Sequence, residues 1–197
     1  MTNSMRIISG RFKGKRLISV KANTVRPTSD RVKESVFSIL GDSVIDSNFL
    51  DLCAGTGSIG LEALSRAAKS VTFVDRSSHS IRVIKSNLAG CGLSGGEPHV
   101  NIVKLDALKG LAFLARRNAR FDLIYLDPPY DSGIYEVCLR QIGLSKMLLP
   151  SGQVVVERRR ERSADLAAPK ASNELKLKRQ ERYGDTVISF YQMEDTE

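Results

Sequence analysis

No apolar run in the 197 residues approaches the roughly 20 needed to cross a bilayer, so the sequence predicts no membrane span. No apolar stretch follows the opening Met-Thr-Asn-Ser-Met-Arg, which argues against a secretory leader. Cysteine is scarce. Cys53, Cys91 and Cys138 are odd in number and far apart, which fits neither a disulfide framework nor a zinc pattern and points to a reducing cytoplasm. The two histidines, His79 and His99, stand alone with no second ligand at metal spacing, so neither a metal nor a histidine base is expected. No proline precedes a cysteine, which removes the pairing usual for a thiol that attacks pyrimidine carbon. Internal repeats and low-complexity segments are absent as well.

Acid is scarce in one place. Between Met1 and Lys33 stand nine bases (Arg6, Arg11, Lys13, Lys15, Arg16, Lys21, Arg26, Arg31, Lys33) and one acid, Asp30. The whole chain carries a formal charge of +8 and a pI near 9.6, an excess that suggests a polyanionic partner. A second basic run, Arg158-Arg159-Arg160-Glu161-Arg162, reads equally as a solvated face. With 42% hydrophobic and 26% charged residues, the length fits one globular domain with a small appendage. Nothing calls for a dimer, and a monomer is expected.

Met5–Ile8 and Arg16–Ile18 flank a glycine-containing turn and predict a short hairpin, followed by a loop over Val20–Val25. Pro27-Thr28-Ser29-Asp30 opens a helix with Val32, Val36, Ile39 and Leu40 at helical spacing, ended by Gly41. Strand-like runs then alternate with helix-like ones. The strands are Asn48–Leu52, Ser70–Asp75, Val100–Leu105, Phe121–Leu126 and Gln153–Glu157. The helices are Ser58–Ala68, Ser78–Leu88, Ala107–Arg116 and Ile134–Leu144. Such alternation predicts an α/β, Rossmann-like parallel sheet with helices on both faces. Leu175–Arg182 and Thr186–Met193 break it as a terminal hairpin around Tyr183-Gly184-Asp185. The expected division is a basic extension over 1–26 and a main domain over 27–197.

Asp51-Leu52-Cys53-Ala54-Gly55-Thr56-Gly57-Ser58-Ile59-Gly60 joins the first strand of the alternation to a helix. Gly55–Gly60 matches the dinucleotide pattern G-x-G-x-x-G, with Asp75 twenty residues on, so an NAD enzyme is one reading. Asp51, four residues before Gly55, argues against a pyrophosphate, whose charge it would repel. S-adenosylmethionine, with an ammonium, a sulfonium and no phosphate, suits the loop better. Asp75, with Arg76 after it, is placed for the ribose hydroxyls. Asp106, followed by Ala107, is placed for the adenine amine, although an acid there also caps a helix.

Asp127-Pro128-Pro129-Tyr130 ends the fourth strand at the same edge. An exocyclic amine is a poor nucleophile because its lone pair is delocalised into the base. The Asp127 carboxylate and the Pro128 carbonyl can accept its two N–H bonds and localise that pair. Pro128 and Pro129 fix the turn, and Tyr130 offers a face for stacking, worth about 1–3 kcal/mol.

The loop and this tetrapeptide together resemble the class I S-adenosylmethionine-dependent amino-methyltransferases. "MRIISGRFKGKRL" and "RPTSDRVKESVFSIL" narrow the resemblance to the bacterial RsmD family, over nearly the whole chain. The resemblance implies a seven-stranded sheet with an antiparallel last strand. It implies transfer of methyl to the N2 amine of a guanine in 16S ribosomal RNA, free or in a partly assembled subunit. It places Asp51, Gly55, Gly57, Asp75 and Asp106 in the cofactor site, with Asp127, Pro128 and Tyr130 in the catalytic one. Asp75 stands where the family more often has Glu, and Asp, though shorter, still reaches a ribose. Arg11, Lys13, Lys15, Arg16, Arg26 and Arg31 are the expected RNA-docking residues. Competing readings are a DNA or other RNA amino-methyltransferase acting on adenine or cytosine, and a non-catalytic RNA-binding assembly factor.

Overall fold

The computed structural model describes residues 5–19, 30–94, 96–97, 99–128, 133–159 and 175–194. The elements run α1 (Asp30–Leu40), β1 (Asn48–Leu52), α2 (Ser58–Ser65), β2 (Ser70–Val74), α3 (Ser78–Gly90) and β3 (Val100–Val103). They continue with α4 (Ala107–Arg116), β4 (Phe121–Leu126), α5 (Ile134–Ser145), β5 (Leu148–Arg159), β6 (Leu175–Tyr183) and β7 (Thr186–Met193). The alternation in the sequence becomes one seven-stranded sheet of order β3-β2-β1-β4-β5-β7-β6. The first five strands are parallel, and β7 runs antiparallel between β5 and β6.

Strand alternation sends side chains to two apolar layers. Phe49, Phe73, Leu123, Tyr125 and Val155 pack with Val32, Val36 and Phe37 of α1, Leu61 and Leu64 of α2, and Ile84 and Leu88 of α3. Leu50, Leu52, Val74, Ile124 and Val154 pack with Leu111 and Leu114 of α4, and Leu139 and Ile142 of α5. Helices on both faces leave the central strands near-continuously apolar, as parallel sheets require.

Several boundaries differ from the sequence expectation. β2 and β3 end one and two residues sooner, at Val74 and Val103. β5 starts five residues earlier, because Leu148 already pairs with Phe121 across an irregularity that absorbs Pro150-Ser151-Gly152. Gly41 ends α1 but begins a 3₁₀ turn, Gly41–Val44. The loop expected over 20–25 lies outside the described residues.

The predicted N-terminal hairpin forms around an antiparallel bridge between Arg6 and Arg16. It does not hang free. Met5, Ile7 and Leu17 are buried in the layer beneath α1–α3. Ser65 of α2 accepts the Arg11 amide with its carbonyl at 2.7 Å and the Phe12 amide with its hydroxyl at 2.9 Å. Gly10 lies against this contact with φ +80, and a Cβ there would stand 1.8 Å from the Ser65 carbonyl oxygen. Gly10→Ala is therefore expected to lower the unfolding free energy by about 2–4 kcal/mol, combining left-handed strain with a backbone clash. A denaturant melt measures it, and a change within 0.5 kcal/mol would contradict the docking.

Candidate active site at the strand tips

Strand order reverses between β1 and β4, and in sheets of this kind ligands bind at the carboxyl ends there. The sequence-predicted residues converge on that crevice. Cys53 and Ala54 leave β1, with Cys53 half-buried at φ +67 and the Ala54 amide donating to the Val74 carbonyl at 3.0 Å. Gly55 follows at φ +55, and a Cβ there would meet only the Cys53 carbonyl at 4.0 Å, so this residue opens outward. Gly57 caps α2 in a left-handed conformation, and a Cβ on Gly60 would stand 2.3 Å from the Phe73 ring. The loop thus presents bare backbone on one side while α2 presses onto β2 on the other.

Its amides are largely spent inside the protein. The Gly55 N–H donates to Asp75 at 2.8 Å, the Gly57 N–H to the Ala54 carbonyl at 2.7 Å, and the Gly60 N–H to Asp51 at 2.9 Å. A pyrophosphate needs such amides free at the helix N-terminus. With two carboxylates holding them, the cradle fits a ligand that is cationic and lacks phosphate.

Asp75 holds the loop with one oxygen and the Ser77 amide, at 2.8 Å, with the other. Each oxygen keeps a further lone pair for a ligand hydroxyl. Arg76 beside it is exposed. Asp106 caps α4 through the Lys109 amide at 2.9 Å, and that bond holds its carboxyl below the usual range. Ala107 is the buried first residue of that helix. The capping role named as an alternative for Asp106 is thus realised, on an acid still half-exposed at the crevice rim. Asp51 is only 2% exposed, and burial pushes its carboxyl up to about 7. Thr56 is buried beneath the loop, its hydroxyl 3.3 Å from the Met5 sulfur.

Asp127 continues the β4 ladder, its amide donating to the Leu52 carbonyl at 3.3 Å. The residue is half-buried. Burial first, then the charges of Glu157 and Asp51, raise its carboxyl well above the ordinary range. Pro128 is buried. Pro129 and Tyr130 lie outside the described residues, as does Arg26.

Arg11, Lys13, Lys15 and Arg16 are exposed on the hairpin and Arg31 on α1. Their spacing from the crevice is set by residues the sequence reading did not single out. Glu62 of α2, 0% exposed, accepts the Ile8 and Ser9 amides at 2.8 and 3.0 Å, with Lys33 at 3.5 Å and Arg66 at 2.9 Å. Asn87 of α3 accepts the Ile18 amide at 2.7 Å and donates to the carbonyls of Ile18 and of Thr56 in the glycine loop. One side chain so ties the basic segment to the glycine loop. Helical spacing gives no sign of these roles. Glu157, the last residue of the strand expected over Gln153–Glu157 and an internal residue of β5 in the structure, carries the one signal that could have been read.

The family model described as conserved hypothetical protein 95 matches residues 5–192. A Bacillus subtilis protein provisionally named rRNA methyltransferase YlbH is 38% identical over 187 residues, 95% of this chain and 98% of its own. Ribosomal RNA small subunit methyltransferase D of Haemophilus influenzae is 36% identical over 78% of each chain. A solved structure from Escherichia coli, yhhF, provisionally described as a methyltransferase, superposes with a TM-score of 0.82 at 28% identity, covering 98% of this chain and 99% of that one.

Proposed function

The chain belongs to the conserved hypothetical protein 95 family, and on that footing we propose that it methylates ribosomal RNA with S-adenosylmethionine, at the N2 amine of a guanine in the small subunit. The observation that carries this reading is Asp127-Pro128 at the tip of β4, bonded to the end of β1 beside a glycine loop whose Gly55 and Gly60 amides are held by Asp75 and Asp51. Gly55 and Gly57 would lie against the donor, with Asp75 at its ribose and Asp106 near its adenine. Bound there, it would supply an electrophilic methyl on a sulfonium.

The chain's own residues do the rest. The Asp127 carboxylate and Pro128 carbonyl accept the two amine N–H bonds and turn the nitrogen lone pair toward the methyl. Pro128 is buried, and its ring locks its own φ, which limits how that carbonyl can turn. Positioning against a reactive donor supplies most of the rate, with no covalent enzyme intermediate. A base in a loop reaches this site at lower cost than one in a helix.

The docked hairpin gives the RNA a basic surface in fixed register with the crevice. Neutralising Arg11, Lys13, Lys15 and Arg16 together is expected to weaken RNA binding and flatten its salt dependence by about one unit of slope per lost phosphate contact. An unchanged slope across a salt titration would contradict this. The function itself is tested by labelled methyl transfer to purified ribosomal RNA and to DNA. Label in RNA is expected, and label in DNA alone would overturn the reading.

A further inference from the structure

On the face of the sheet covered by α1–α3, the strand register gathers polar groups beneath the crevice. Asp51 of β1 lies beside Tyr125 of β4, and Tyr125 beside Val155 of β5. Asp127 is two residues beyond Tyr125 and Glu157 two beyond Val155, so all four side chains share that face. Tyr125 is 0% exposed and Glu157 2%. The Tyr125 hydroxyl donates to a Glu157 carboxylate oxygen at 2.5 Å. The charges acting on Asp127 are Glu157 and Asp51, and the charge acting on Asp51 is Asp75, all of them acids. The Cys53 thiol alongside is pushed up by burial and by its neighbours Cys138, Asp127, Asp75 and Asp51. Lys33, a buried cation under the same helices, is engaged with Glu62, and Arg66 with Glu62 as well.

We infer that Asp51, Tyr125, Asp127 and Glu157 form a proton store beneath the methyl-transfer site, which holds a proton in the free protein and yields it to solvent when the cationic donor binds. Asp127 then accepts from the amine only once the methyl is in place. The inference rests on the reading of the loop as an S-adenosylmethionine site. Enclosed acids on adjacent strands that raise one another's proton affinity disfavour full ionisation, and such a cluster titrates as a unit. Its raised proton affinity agrees with this, at about 7 for Asp51 and well above the carboxylate range for Asp127. A cation brought to the loop offsets the repulsion and favours the ionised form, so a carboxyl O–H breaks and its proton passes to water.

The store is refilled in the transfer. The nitrogen–methyl bond forms as the sulfur–methyl bond breaks with its electron pair left on sulfur, and the amine proton passes to the Asp127 carboxylate. A cation and a carboxylate become a neutral thioether and a neutral acid. The attraction that held the donor is then gone, which favours release of the product.

Calorimetry of the whole protein at about pH 6.5, in two buffers of different ionisation enthalpy, counts the protons released on binding. The ligand's own ammonium stays protonated there, its ordinary pKa lying at about 7.7–8.0. S-adenosylmethionine is expected to release roughly half to one proton, and S-adenosylhomocysteine, which lacks the sulfonium charge, clearly less. Affinity for the donor should rise with pH by up to about tenfold per unit, since binding expels a proton. Glu157→Gln keeps an acceptor for Tyr125 but removes a charge, so the release should shrink. Donor binding with no proton release, equal release with both ligands, or unchanged release in Glu157→Gln would overturn the store while leaving the site intact. No donor binding in equilibrium dialysis would overturn both.

Discussion

Asp127→Ala is expected to lower methyl transfer on the order of 10³-fold while leaving the affinity for S-adenosylmethionine within about tenfold of the unaltered protein. The reason is a separation of labour visible at the strand tips. The donor would be held by the loop after β1 and by Asp75 and Asp106 after β2 and β3. Asp127 instead follows β4, where the proposed function puts the amine. Removing it takes away one of two acceptors and the charge that favours loss of the amine proton, without touching Gly55 or Gly57. Single-turnover transfer to ribosomal RNA and donor binding by calorimetry, measured on the same preparation, separate the two effects. Full activity would remove Asp127 from the mechanism. Loss of donor binding equal to the loss of rate would make it a cofactor residue instead.

Glu62→Ala carries the largest expected cost in stability, about 3–5 kcal/mol, or a fall of about 10 °C in Tm. The side chain is fully buried on α2, and four bonding partners would be affected by one change. The Ile8 and Ser9 amides lose their acceptor, Lys33 loses its counter-charge, and Arg66 loses its partner one turn away. The methyl group that remains opens a cavity in the bargain. Lys33, whose pKa is lowered by burial, still donates to the Arg6 carbonyl at 2.5 Å and would be left as an isolated cation under the hairpin. Lys33→Met should cost less, because Glu62 would keep both hairpin amides and Arg66. Urea unfolding of the two variants gives the comparison, and a loss under 1 kcal/mol for Glu62→Ala would show that the hairpin is not anchored there.

Much of this architecture is legible in the sequence because the signals are local. The run Phe121–Leu126 is apolar and bounded by charge, and it forms β4 with those limits. Asp106 before α4 announces its helix as a cap, and it accepts the Lys109 amide there. Asp51 near the end of the β1 ladder, Asp75 just after β2 and Asp106 shortly after β3 mark the crevice edge. The network around Glu62 is hidden for the opposite reason. Its partners at Ile8 and Ser9 lie more than fifty positions away, and an acid between Leu61 and Ala63 reads locally as an exposed helix position. Lys33 is hidden in the same way, next to Val32 on a helix whose apolar spacing gives no place to a buried ammonium. The Tyr125–Glu157 bond likewise depends on the register of β4 against β5, which no single strand encodes.

The central claim is that carboxylate-held glycine backbone and the Asp127-Pro128 turn bring a methyl donor to a guanine amine. Its most direct test is nucleoside mass spectrometry of unmodified small-subunit ribosomal RNA after incubation with the protein and S-adenosylmethionine. N2-methylguanosine should appear with the unaltered protein and be absent with Asp127→Ala. Methyl on another nucleoside, or none on RNA that the protein demonstrably binds, would contradict the account.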